Sequence, residues 1–120
     1  RDRVRDYGWA RVSLILRNSG RVGGDLVGSF RVDEDRVVVY SIDVSGHGVA
    51  SAMMTARLAG YLSGTSPDQN VALRLTDART YEAHPPDVVA ARLNRIVIEE
   101  MPACESRFSM CERIRVSSAR

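Results

Sequence analysis

Two aspartates set in glycine turns on either side of a short hairpin constrain this chain more than any other feature. The first lies in Gly23-Gly24-Asp25 and the second in Asp43-Val44-Ser45-Gly46-His47-Gly48. Between them, Phe30 to Val32 and Val37 to Ile42 read as strands, and Asp33-Glu34-Asp35 supplies a polar turn. Each acid therefore falls at or just beyond a strand end. There a rigid sheet holds it and the glycines let backbone approach closely. A helix follows the second acid, with Ala50, Met53, Met54, Leu58, Tyr61 and Leu62 at helical spacing from Val49 to Leu62. Paired carboxylates at strand ends suit a hard divalent cation, which prefers carboxylate and carbonyl oxygen. The plain alternative is that the acids cap turns and the glycines only turn the chain.

The run Val22-Gly23-Gly24-Asp25-Leu26-Val27-Gly28-Ser29-Phe30, with Ser41-Ile42-Asp43-Val44-Ser45-Gly46-His47-Gly48-Val49-Ala50-Ser51-Ala52-Met53-Met54, closely resembles the SpoIIE-like branch of the metal-dependent (PPM, type 2C) protein phosphatases. The likeness extends more loosely from Ala10 to Met110. It implies an α/β (α+β) fold, a sandwich of two β-sheets flanked by helices. It implies a two-metal centre of Mn2+ or Mg2+ that hydrolyses phosphoserine or phosphothreonine. Asp25 and Asp43 match the first two metal-binding acids, and both count as catalytic. Val44 stands where the family offers a backbone carbonyl to a metal.

The same resemblance implies a bacterial, cytoplasmic phosphatase in a partner-switching pathway. Its substrate would be a phosphoserine protein such as an anti-sigma-factor antagonist, and the full-length protein would be a possible homodimer. Many relatives carry a further acid at the place of Gly28. The wider type 2C family has a histidine two residues after the second acid, where this chain has Ser45. His47, four residues after Asp43, is therefore read as a shaper of the turn. No motif for the remaining metal acids follows, so the chain resembles the N-terminal half of a catalytic domain, with impaired activity. The alternative is a non-catalytic remnant that acts as a protein-interaction module, docking through the Val49–Leu62 helix.

The remainder reads in sequence order. Residues 1–9 are a charged linker remnant, 10–111 the partial phosphatase domain, and 112–120 an aberrant or disordered basic, serine-rich tail. Ala10 to Arg17 alternates as a half-buried strand with Trp9 packed at its start. Ala52, Ala56, Ala59 and Gly60 give the first helix a side poor in bulk. Residues 63–86 read either as an inserted hairpin of Val71–Leu75 with Thr80–Ala83 or as a flexible excursion. His84 is placed on the surface, and Pro85-Pro86 leads into an amphipathic helix over Asp87–Met101 with Val89, Leu93, Ile96 and Val97 as its apolar face.

Composition narrows the function classes. The net charge is +2 and the arginines are scattered, which argues against nucleic acid. No apolar run approaches the roughly 20 residues of a membrane-spanning helix. Cys104 and Cys111 lack metal spacing and read as reduced thiols.

Overall fold

The computed structural model describes residues 2–15, 25–44, 49–100 and 111–119. Its central element is a three-stranded antiparallel sheet of β3 (Asp25–Arg31), β4 (Val37–Val44) and β7 (Cys111–Ala119), in the order β3-β4-β7. A second sheet is the hairpin of β1 (Asp2–Asp6) and β2 (Arg11–Ile15), and a third is the small hairpin of β5 (Leu73–Leu75) and β6 (Tyr81–Ala83). Two helices, α1 (Val49–Tyr61) and α2 (Pro86–Glu100), complete the α+β fold expected from the sequence.

The β-branched run Val37-Val38-Val39 favours an extended strand, and alternation decides which face is covered. Val38, Tyr40, Ile42 and Val44 are buried, whereas Ser41 and Asp43 are exposed. The buried face meets both helices. Met54, Leu58 and Leu62 come from α1 and its end, and Val89, Leu93 and Val97 from α2 at intervals of four residues. Phe30, Ala72 and Leu73 close the same core. Gly64 lies against Phe30, where a Cβ would stand 2.6 Å from that of the phenylalanine, so the loop after α1 needs a residue without a side chain there.

The excursion after α1 is an ordered hairpin. Asn70 is buried and fully used: its side-chain amide donates to the Ser63 carbonyl at 3.2 Å, and its Oδ1 accepts the Ala72 N–H at 2.9 Å. A backbone bond from Val71 N to Tyr61 O ties the hairpin to α1, and one from His84 N to Ala72 O continues the ladder beyond Leu73↔Ala83. Arg79 takes φ 63° in its turn, and an Arg74–Glu82 ion pair spans its two strands.

Three expectations need correction. Residues 2–6 are a strand, paired from Asp2↔Ile15 to Asp6↔Arg11, and not a linker remnant. Their charges hid this, because Arg3, Val4 and Arg5 are all exposed and leave no apolar alternation to read. Residues 111–119 are a strand on β4, not an irregular tail. Here partner strand and ladder hydrogen bonds outweigh a composition with little β preference. Trp9 is 44% exposed and held by its edge, its indole N–H donating to the Glu34 carbonyl at 2.7 Å.

Candidate metal centre

The hairpin turn between β3 and β4 sets the geometry of the acids. Val32 N donates to Arg36 O at 3.0 Å, and Asp33 Oδ1 accepts the Asp35 N–H at 3.1 Å. Arg36 closes the turn with an ion pair to Asp33 at 2.8 Å, and the guanidinium holds the Asp33 carboxyl below its usual range. Arg31 donates to the carbonyls of Asp33 and Glu34. A turn of defined length fixes strand register. Arg31 pairs with Val37, and the ladder then runs without a slip to Asp25↔Asp43.

Asp25 and Asp43 are thus direct cross-strand partners. In an antiparallel pair such positions share one face of the sheet, with Cβ atoms about 4.5–5.5 Å apart. Asp43 is exposed and lies on the face opposite the helices. The register of β4 against β7 shifts between Asp43 and Val44, which pair with Arg113 and Cys111. A bulge of this kind bends the strand and often adjoins functional positions. Val44 itself points into the core, 2% exposed.

The near end of the same face is covered by the first hairpin. Tyr7 hydrogen-bonds Ser29 Oγ at 2.7 Å, Arg31 donates to the Tyr7 carbonyl at 2.8 Å, and the Arg31 guanidinium lies 5.4 Å from the Tyr7 ring centroid. The face is therefore covered at the turn end and open at the acid end, with Val37 buried and Ser41 and Asp43 exposed. Carboxylate oxygens are hard donors of the kind Mn2+ and Mg2+ take. Asp43 faces solvent, and its register partner, Asp25, is a second carboxylate residue. Their adjacency fits the start of such a site. Among the described residues, no cluster of three or more His, Cys, Asp or Glu surrounds them.

Gly23, Gly24, Ser45 and His47 fall outside the described residues, as does Cys104. His84 is half-buried and not near the acids in sequence or sheet. Burial, then Arg92 and Arg74, push its pKa down. On α1, Ala52 and Ala59 are half-buried while Ala56 and Gly60 are exposed, so the low-bulk side is only partly covered. An open groove of about 520 Å³ lies on this half of α1, lined by Arg57, Gly60, Tyr61 and Gln69. The sequence signalled neither that groove nor the packing of Tyr40 over Gly28. In that packing a Cβ at position 28 would overlap the tyrosine hydroxyl and ring.

A family model described as Stage II sporulation protein E (SpoIIE) matches residues 33–117. The chain belongs to the SpoIIE family. Phosphoserine phosphatase RsbP of Bacillus subtilis (strain 168) is 42% identical over 48 residues, which are 40% of this chain and 12% of that protein. The family match takes in Asp43, α1, α2 and most of β7, and it begins after Asp25. The fold agrees with the N-terminal part of a PPM-type phosphatase domain, as the sequence resemblance implied. No helix among the described residues is long and apolar enough to cross a membrane.

Proposed function

We propose that this chain contributes the first acids of a metal-dependent protein serine/threonine phosphatase, acting on phosphoserine in a regulatory protein. The observation that carries the reading is the Asp25↔Asp43 register pair. It puts both acids named by the motif at one point of one sheet face. Membership of the SpoIIE family and likeness to a phosphoserine phosphatase support the reaction class.

Asp25 and Asp43 would hold Mn2+ or Mg2+, and the Val44 carbonyl would add a neutral oxygen donor. When bound, the cations supply a hydroxide of lowered pKa and offset the charge of the phosphoryl group. The chain's own part is positional: β3 and β4 hold the backbone of the two acids in register, and Tyr7, Ser29 and Arg31 stiffen the strand that bears Asp25. Such preorganised charge is the main contribution a protein makes to phosphoryl transfer. The substrate in this reading is a phosphorylated anti-sigma-factor antagonist in a cytoplasmic bacterial partner-switching pathway, and the full-length protein is a homodimer.

The test joins residues 1–120 to the C-terminal catalytic segment of a SpoIIE-family relative and assays a phosphoserine protein with MnCl2. Manganese-dependent release of phosphate, lost in Asp43→Ala, is the expected result. Turnover that survives Asp43→Ala would remove the assignment and favour the rival reading, an interaction module without chemistry.

A further inference from the structure

The hydrophobic pattern does not by itself place Asp25 opposite Asp43. A slip of one residue between β3 and β4 would turn the buried set of β4 to solvent, so alternation rejects it. A slip of two residues keeps every side chain on its proper face. Val38, Tyr40, Ile42 and Val44 would remain inside, yet Asp43 would then oppose residue 23 or residue 27 instead of Asp25. Something other than polarity must reject the even slips.

One cross-strand pair does so by shape. Tyr40 is 8% exposed and lies directly opposite Gly28. Its ring and hydroxyl occupy the space that a side chain at position 28 would enter, and a Cβ there would also stand 2.8 Å from Cε1 of the ring. The Phe30 ring packs beside it, with centroids 6.3 Å apart and a tilt of 46°. The flanking positions of β3 on this face are Leu26 and Phe30. A two-residue slip in either direction would drive the Tyr40 ring onto one of these side chains in a core that is already filled. Gly28 is the one place in the strand that admits the ring.

We propose that Tyr40 and Gly28 are positioning residues for the metal centre, a lock that holds β3 and β4 in the register that opposes Asp25 and Asp43. This rests on the reading of those two acids as metal ligands. Neither residue touches the cation; they act through the strand three positions from each acid.

The experiment is a calorimetric titration of MnCl2 alone into the 120-residue chain, with Mn2+ electron paramagnetic resonance as a second readout. Gly28→Ala is expected to weaken manganese binding about tenfold, in the range typical of residues that orient metal ligands. Tyr40→Phe, which keeps the ring, should bind as the parent does, while Tyr40→Ala should weaken binding. In the Tyr40→Ala background, Gly28→Ala should have no further effect, because the space it fills is then empty. Leu93→Ala, a core change on α2, should lower stability and leave affinity of the folded chain unaltered. If Asp43→Ala leaves the isotherm unchanged, the metal reading itself falls. If Asp43→Ala removes binding while Gly28→Ala binds like the parent, only the lock falls. Should Gly28→Ala not fold, the tyrosine pair decides: equal affinities for Tyr40→Phe and Tyr40→Ala overturn the lock.

Discussion

In an Arg113→Gln background, which removes the basic ladder partner of Asp43 on β7, replacing Asp43 by Asn should make the metal-free chain more stable, and the size of the gain follows from the register. Asp25 and Asp43 are direct partners in the ladder, which places two like charges about 5 Å apart at the level of Cβ. Asp43 is exposed, so a dielectric near that of water applies to the pair. At that separation the repulsion is about 0.8 kcal/mol in water at low ionic strength. Screening at about 0.1 M salt, where the Debye length is about 10 Å, reduces it to about 0.5 kcal/mol. Asp43→Asn keeps the side-chain size and removes the repulsion. The expected outcome is a rise in urea midpoint equivalent to about 0.5–0.8 kcal/mol, shrinking as salt is added. In the parent chain MnCl2 should reverse the order, since a ligand that binds only the folded state at ten times its Kd stabilises by about 1.4 kcal/mol. The asparagine variant should gain little from manganese. Urea curves with and without 1 M NaCl and with MnCl2 read all three effects. In the Arg113→Gln background, a metal-free Asp43→Asn chain less stable than its Asp43 counterpart at every salt concentration would refute the placement of two charges at this register position.

Three further outcomes test the packing and electrostatics. Leu58→Ala, at a fully buried position between α1 and the sheet, should cost about 2–5 kcal/mol in chemical denaturation. Trp9→Phe removes the indole donor to the Glu34 carbonyl and should cost about 0.5–1.5 kcal/mol. Faster hydrogen exchange in the turn at 32–36 should accompany that loss. His84 has a folded-state pKa held below the usual 6.5 by burial and by Arg92 and Arg74, against a smaller opposing effect of Glu82. The unfolded chain therefore takes up the proton first as pH falls below 6.5, and stability declines until the folded form is protonated as well. His84→Gln should flatten that part of the stability profile, as measured by denaturation from pH 7.5 downward.

The motif acids, the β4 strand and both helices were legible in the sequence because each depends on local pattern. The run Val37 to Ile42 alternates, the apolar residues of α2 recur at helical spacing, and Pro86 with Asp87 marks the start of that helix. Even the hairpin between the two acids could be read, since a short polar turn joins two apolar runs. The charged β1 and the serine-rich β7 were not legible. Their extended conformation comes from pairing with β2 and β4, and an exposed or composition-poor strand leaves no period to find.

The sequence alone determined that two aspartates would lie at the ends of adjoining strands, because glycine turns and the short polar turn Asp33-Glu34-Asp35 leave few other arrangements. Only the tertiary structure decided that they meet. Hydrophobic alternation has a period of two and is blind to a slip of two residues. The exact partner of Asp25 therefore depends on the Asp33–Arg36 turn and on the ring of Tyr40 filling the space above Gly28. The first is a local turn contact and the second a fit across the strands, and neither shows in a pattern of polar and apolar residues.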